Sequence, residues 1–232
     1  MKGKKEGTMN GKQVDIYVNV HKGIRNLITR FLFQTGSTDW TDASAVARLQ
    51  PEWEQVTKII RSHHAHEDQF IHPLLSRITP GGHRSYEAEH HAQLDVLTDL
   101  EAHFTRLADD DVPQAKRAQT GLEFYRGLNL FYGDFLLHLH REEVEAERAL
   151  HSLCIPEELM TTMGALLGSI PPEEMMAYLD FMVPAMNLPE CAELLGGMKA
   201  GSPPEVFKAM ADRARKARGE SDWQKLEALL VQ

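Results

Sequence analysis

The sequence is short of the features that mark secreted, membrane-spanning and nucleic-acid-binding proteins. Its 232 residues include only two cysteines, Cys154 and Cys191, too few for a disulfide framework, which favours a reducing, cytoplasmic location. No signal peptide is visible, and no stretch approaches the roughly 20 apolar residues of a membrane span. A net charge of −9 implies no broad basic surface. We therefore expect a cytoplasmic protein that binds neither nucleic acid nor membrane.

The alternation of polar and apolar residues that marks β-strands is also missing, and helical periodicity takes its place. Pro51 suits the first turn of a helix, because its missing N–H leaves no bond unmade there, and Pro73 predicts a kink or an end. The expected fold is all-α, an antiparallel up-down four-helix bundle. Its core helices are predicted at residues 14–33, 51–78, 85–108 and 113–150, with a short helix at 42–49.

The amino-acid composition changes after Cys154, where prolines separate short segments rich in leucine, methionine and alanine. Five short helices are predicted, at residues 157–167, 173–182, 189–198, 204–217 and 222–231. We divide the chain into a flexible N-terminus (1–13), a four-helix metal-binding domain (14–153) and a helical C-terminal extension that packs on the bundle (154–232). An independent second domain is the alternative for the last part.

Histidine is the residue that the chain has in excess, with 12 copies against five tyrosines and three tryptophans. A motif of histidine followed four residues later by glutamate occurs twice. Four residues make about one helical turn, so both side chains of each copy lie on one face of a helix. Each copy follows a lone histidine on an earlier apolar segment. The repeat supplies four histidines and two glutamates: His21, His63, Glu67, His90, His138 and Glu142.

The doublet His90-His91 offers two choices, and helical geometry distinguishes them. At about 100° per residue, His90 lies near the centre of the apolar face and His91 lies to its side. Tyr86, one turn before His90, shares that face and is a candidate to touch the metal or its ligands, although a core aromatic explains it equally well. The apolar face is defined by Leu94, Leu97, Leu100 and Phe104.

Four imidazoles and two carboxylates are too many ligands for one tetrahedral zinc ion. They suit two octahedral ions that share bridging carboxylates, and we predict Glu67 and Glu142 as the bridges. The histidines are then divided by sequence order, the first two on one ion and the last two on the other. Imidazole binds iron, zinc, copper and nickel, so these residues leave the metal open.

Two rival interpretations of the histidines are weaker. A metal-free bundle would have to bury these polar groups without compensation, which is costly. A ferritin-like di-iron bundle requires Glu-x-x-His on two helices, and only the segment from Glu87 to His90 has that form. We expect Asp68 and Glu143 on solvated faces, with hydrogen bonds to a neighbouring helix as the alternative. The remaining histidines are expected at the surface or the core edge, with His64 or His66 beside the ligands as a minority alternative.

Four segments together resemble the hemerythrin-like (HHE cation-binding) domains over about residues 14–153. They are His21-Lys-Gly-Ile-Arg25, His63-His-Ala-His-Glu-Asp-Gln-Phe-Ile-His-Pro73, Ser85-Tyr-Glu-Ala-Glu-His90 and His138-Leu-His-Arg-Glu-Glu143. The resemblance implies two iron ions joined by bridging carboxylates and an oxo or hydroxo group, in a site that could also take other divalent metals. Tyr86 stands where the oxygen carriers of the family have a further histidine, which argues against reversible oxygen carriage.

The expected function is therefore that of a non-haem di-iron protein that binds or reacts with oxygen, peroxide or nitric oxide. Its role would be sensing, redox defence or iron handling. One alternative is an enzyme that decomposes peroxide. Another is a metal-gated interaction module with a protein partner at the C-terminal helices, whose methionines suit adaptable contacts. Those methionines are Met160, Met163, Met175, Met176, Met182 and Met186.

Overall fold

The computed structural model describes residues 8–9, 12–13, 15–109 and 111–230. The described chain is helical, as predicted, apart from a two-residue antiparallel ladder between β1 (Thr8–Met9) and β2 (Lys12–Gln13) that the sequence did not indicate. The predicted flexible segment 1–13 lies mainly outside the described residues. The α-helices are α1 (Val18–Ser37), α2 (Ala43–His66), α3 (His72–Ile78), α4 (Arg84–Leu107), α5 (Gln114–Arg141), α6 (Glu147–Leu153), α7 (Pro156–Ser169), α8 (Pro172–Ala185), α9 (Leu188–Gly201), α10 (Pro204–Arg218) and α11 (Glu220–Leu230).

Among the helices of the described residues, none is both long enough and apolar enough to cross a bilayer. Both cysteines are free thiols, Cys154 half-buried and Cys191 buried.

Helix α2 corrects the prediction of two separate helices around Pro51. It runs unbroken from Ala43 to His66 with Pro51 in its interior. The helix starts early because the Asp42 carboxylate caps it, accepting a hydrogen bond from the Ser44 amide at 2.8 Å. Pro51 removes one backbone bond, but Leu49 and Trp53 are buried on either side of it and hold the segment in the core.

Two π-helical turns interrupt what the sequence predicted as continuous α-helix. The first (Glu67–Ile71) joins α2 to α3, and the second (Glu142–Ala146) joins α5 to α6. Each begins at the glutamate of a His-x-x-x-Glu motif. Such turns are rare and occur frequently at functional sites. The predicted kink near Pro73 takes this form, since Pro73 lies in the first turn of α3, directly after the π turn.

Helices α2, α4 and α5 pack with neighbouring directions reversed. Along α2 and α4, Trp53 meets Phe104 at 5.9 Å between ring centroids, whereas the His64 ring meets His90 at 4.0 Å. Residue numbers therefore rise on one helix as they fall on the other. The same holds for α4 and α5, where Gln93 donates to Asp134 at 3.2 Å and Leu100 lies against Gly127.

Aromatic rings fill the core at one end of these helices. The Trp53 ring stacks on Phe31 at 5.3 Å and meets Phe124 edge-on at 5.2 Å. Trp40 covers Phe124 from the segment before α2. Ten residues separate Trp53 from His63, which is about 15 Å along α2. The apolar packing that holds the helices is thus set apart from the histidine-rich end.

The chain forms two compact units, of which one contains Leu27–Met163 and the other Asp15–Asn26 with Gly164–Gln232. Helix α1 contributes residues to both. In the second unit, the Asn26 amide donates to the Phe181 carbonyl at 3.0 Å, and Lys22 pairs with Glu190 at 2.6 Å. The five helices α7 to α11 match the number of short helices predicted after Cys154. The core of this unit is Leu179, Val183, Met186, Cys191, Leu195, Ala214, Trp223 and Leu226. The predicted domain boundaries stay predictions.

Gly121 provides a test of the packing on α5. A Cβ atom added there would lie 2.2 Å from Cγ of Trp40. We expect Gly121→Ala to lower the free energy of unfolding by about 1–3 kcal/mol, because the indole must move. Urea denaturation followed by circular dichroism measures the change.

Gly133→Ala is the matched control on the same helix, because a Cβ at Gly133 meets no atom within 4 Å. Helix propensity predicts a gain of up to about 1 kcal/mol there. Equal effects at the two positions would contradict the packing of Trp40 against α5.

Candidate metal centre

Three helices of the first unit bring predicted ligands to one place. His63 lies in the last turn of α2, and Glu67 opens the first π turn directly after it. His90 lies in the second turn of α4. His138 lies at the end of α5, and Glu142 opens the second π turn. All five side chains are at least 96 % shielded from solvent.

The imidazole Nε2 atoms of His90 and His138 face each other at 3.1 Å. His90 Nε2 lies 3.4 Å from Glu67 Oε2 and 3.6 Å from Glu142 Oε1, and His138 Nε2 lies 3.2 Å from Glu142 Oε1. One donor atom from each of these four residues lies within 4.8 Å of the others. Adjacent donors on an octahedral ion with bonds of 2.1 Å are about 3 Å apart, so the set fits a bound metal.

A second group of donors shares the same carboxylates. His63 Nε2 lies 3.4 Å from Glu67 Oε1, and His63, Glu67 and Glu142 each offer an atom within 4.8 Å of the others. Glu67 and Glu142 thus belong both to this group and to the group with His90 and His138. That is the placement expected of carboxylates that bridge two ions.

His21 lies on α1 in the part of the chain that belongs to the second unit. Its side chain is fully buried, and its ring lies 5.3 Å from that of Tyr17. Its assignment as a ligand stays a prediction from the sequence.

The first half of the site carries a hydrogen-bonded network behind His90. Asp68 Oδ1 lies 2.8 Å from His90 Nδ1 and 2.9 Å from His72 Nδ1. Burial alone would raise the Asp68 pKa, but the bonds with His72 and His90 outweigh it and hold the pKa well below the usual range. The prediction that His72 lies at the surface or the core edge was wrong, because His72 is 2 % exposed. Asp68 keeps 35 % of its side chain exposed and bonds a buried imidazole of a neighbouring helix, which was the alternative prediction for it.

His138 has an equivalent partner. Its Nδ1 atom lies 2.8 Å from Glu89 Oε2, and the same carboxylate oxygen accepts a bond from Arg141 at 2.6 Å. Carboxylates that hold the far nitrogen of an imidazole in this way fix its tautomer and orientation toward a metal. Asp68 and Glu89 therefore direct the Nε2 atoms of His90 and His138 to the centre.

Electrostatics favour positive charge at this point. Burial opposes the imidazolium form of His90, but hydrogen bonds with Asp68, Glu142 and Glu67 outweigh burial and raise the pKa to about 11. The pKa of His138 is raised for the same reason, chiefly by Glu142 acting against burial. A bound cation would take the place of these protons between the two glutamates.

His64 is a further residue whose preferred prediction, a solvated position, was wrong, whereas the alternative placed it beside the ligands. It is fully buried, and its ring stacks on that of His90 at 4.0 Å with 12° between the planes. Burial and the neighbouring imidazoles His90 and His63 hold its pKa well below the usual value. A signal was present, because His64 precedes Glu67 by three residues and such pairs share a helical face.

The choice of His90 over His91 agrees with the structure, where His90 is buried and His91 is exposed. Tyr86 is buried, with its ring 6.0 Å from that of His72. Burial, together with the charges of Glu145 and Glu142, raises the pKa of Tyr86 to about 12. The phenol therefore keeps its proton at neutral pH, and its role as a cofactor-binding residue stays a prediction.

A pocket of about 170 Å³ opens beside the site. It is bounded by side chains of the first π turn, α3 and the start of α4: Asp68, His72, Pro73, Ser76, His83 and Glu87. Asp68 therefore lines the pocket and is also hydrogen-bonded to His90, a predicted ligand.

Comparison with known families gives one match. The model of the hemerythrin HHE cation binding domain matches residues 12–150, which is more than half of the chain. No curated protein and no solved structure shows a significant match.

Replacing Asp68 tests the network behind His90. We expect Asp68→Ala to weaken divalent-metal binding by about 10–100-fold, the usual effect of removing such a partner. Titration against a chromophoric chelator measures the affinity. Asp95→Ala, at an exposed position on α4, is the control and should bind as tightly as the original chain. Unchanged binding by Asp68→Ala would show that the carboxylate does not orient His90.

Proposed function

Because the chain belongs to the hemerythrin HHE cation-binding domain family, we propose that it is a non-haem di-iron protein that binds or reacts with a small oxidant. Dioxygen, peroxide and nitric oxide are the candidate ligands. The observation that supports this best is the convergence of His90 Nε2 and His138 Nε2 on the carboxylates of Glu67 and Glu142.

In this proposal Glu67 and Glu142 bridge two ions, as the sequence predicts. The two overlapping donor groups of the first unit support the assignment, because both carboxylates occur in each. The scaffold is the antiparallel up-down four-helix bundle of the sequence prediction. Its support is the reversed packing of α2 against α4 and of α4 against α5.

Iron held by these residues would supply one-electron redox chemistry. The chain's own part is to orient and to shield. Asp68 and Glu89 fix the imidazoles of His90 and His138, while the Phe135 ring lies 6.0 Å from that of His138 and closes the centre on one side. The Tyr86 phenol keeps its proton across the neutral range, because burial raises its pKa to about 12.

The pocket beside Asp68 supports a small reactant. Its volume of about 170 Å³ leaves room for dioxygen, peroxide or nitric oxide, although a cavity of about 150 Å³ can also hold a ring as large as benzene. Sensing, redox defence and iron handling are all compatible with a reactant of this size.

The same pocket favours the peroxide-decomposing enzyme as a second candidate, since a catalyst needs repeated exchange with solvent. The metal-gated interaction module has less support. Met186 lies in the core of the second unit, and Met176 and Met182 pack against it. A core role thus accounts for these three of the six methionines that suggested a protein partner.

Reaction with oxidants separates the candidates. The iron-loaded protein would be reduced under anaerobic conditions, then mixed with oxygen, peroxide or nitric oxide and followed by stopped-flow absorption. A sensor or binding protein should give a stoichiometric visible change. An enzyme should consume peroxide far beyond its iron content. No response to any of the three would contradict the proposed chemistry even if iron is bound.

Metal content tests the site itself. We expect about two iron ions per chain after growth in iron-supplied medium, as in other dinuclear helical centres. Glu142→Ala should lower the content by at least one ion per chain, because the bridging carboxylate is lost. Plasma mass spectrometry of the dialysed protein measures both values.

Glu145→Ala is the matched control, since Glu145 belongs to the same π turn but is exposed. It should retain the full content. A folded wild-type protein without iron would overturn the proposal, whereas full iron content in Glu142→Ala would remove only Glu142 as a bridge.

A further inference from the structure

His64 presents a buried imidazole that the two-carboxylate site does not account for. It is fully shielded from solvent between the rings of His90 and Phe135, with centroid distances of 4.0 and 5.8 Å. The His138 ring meets it edge-on at 5.7 Å. The side chain is thus enclosed on the side of α2 that faces the predicted ligands of α4 and α5.

Neither ring nitrogen of His64 has a hydrogen-bond partner among the described residues. A neutral imidazole carries one N–H donor and one acceptor nitrogen. Leaving a buried polar group unsatisfied costs about 1–3 kcal/mol, and native proteins rarely do so without a reason. A histidine that served only as packing would be expected to bond through at least one nitrogen.

The second copy of the internal repeat has an apolar residue at the position equivalent to His64. His64 directly follows the histidine of the first motif, and Leu139 directly follows the histidine of the second. Leu139 is fully buried, so an apolar side chain fills the equivalent position without leaving a buried polar atom unbonded. The histidine at position 64 therefore needs a partner that its described neighbours do not supply.

The geometry identifies that partner as a cation. One nitrogen of His64 lies within 4.8 Å of donor atoms of both His90 and His138. The His64 and His90 rings are stacked, with 12° between their planes, and an imidazole binds a metal in the plane of its ring, so a shared ion requires the His64 ring to turn out of the stack. His90 and His138 are already directed to the centre by Asp68 and Glu89.

We propose that His64 is a further ligand of the ion held by His90 and His138, an inference that rests on the proposed dinuclear site. That ion then has three imidazoles and two carboxylates.

The test uses His64→Phe, which keeps a ring of similar shape but has no donor nitrogen. The metal-free full-length protein would be titrated anaerobically with ferrous iron, and X-ray absorption would count imidazoles around the bound metal. We expect one of the two ions to bind at least about tenfold more weakly. The mean number of imidazoles per ion should fall by about 0.5, from about 2.5 to about 2, because one ligand is lost from one of the two ions.

His91→Phe is the matched control, because it changes the second member of the other doublet at an exposed position. It should leave both affinities and the imidazole count unchanged. His64→Gly supplies a rescue: free imidazole should restore binding of the weakened ion in that variant and have no effect on the control.

The outcomes separate this inference from the proposed function. If the wild-type protein binds no metal, the dinuclear site itself is wrong. If it binds two ions and His64→Phe gives the same affinities and imidazole count, His64 is not a ligand and the site stands without it. If His64→Phe does not fold by circular dichroism, the His64→Gly variant decides, and an absence of imidazole rescue there overturns the inference.

Discussion

The burial of two carboxylates, Glu67 and Glu142, is the constraint on which the rest of the site depends. Each is almost fully shielded from water, and an ionised carboxylate in such a place costs several kcal/mol unless charged or hydrogen-bonding partners surround it. Imidazole nitrogens between 3.2 and 3.6 Å provide that surrounding. The aromatic core at the other end of the helices supplies the apolar packing that the histidine-rich end lacks, so stability and chemistry are carried by different stretches of α2, α4 and α5.

The π turns follow from the same constraint. Each begins at a buried glutamate, and the wider turn changes the direction of the residues after it relative to a regular helix. After Glu67, this brings Asp68 and His72 against His90. After Glu142, the next buried acid is Glu147, which pairs with His151 at 2.9 Å. The two halves of the repeat therefore share the His-x-x-x-Glu motif but differ in the residues that follow it and in the partners of those residues.

Local periodicity was enough to predict the helices of the first unit and to select His90 from its doublet, because those depend on one helix face at a time. It failed where two elements act together. The continuity of α2 through Pro51 depends on the burial of Leu49 and Trp53, and the π turns depend on where the glutamates must point. His72 was misplaced because its burial is created by α4, which no spacing within α3 reveals. For His64, the distance of three residues to Glu67 was a usable signal, but the pair His63 and Glu67 at four residues was preferred.

Charge balance connects the site with the network behind it. Under the proposed function, two ferrous ions would bring four positive charges into a region that excludes water. Glu67 and Glu142 supply two negative charges, and Asp68 and Glu89 supply two more at one remove, through the imidazoles of His90 and His138. The low pKa of Asp68 keeps its charge in place over the physiological range. Arg141 offsets the charge of Glu89, with whose carboxylate it pairs at 2.6 Å. Two divalent ions would therefore carry positive charge that these four carboxylates do not fully balance, and the site would favour a further small anion beside the metal.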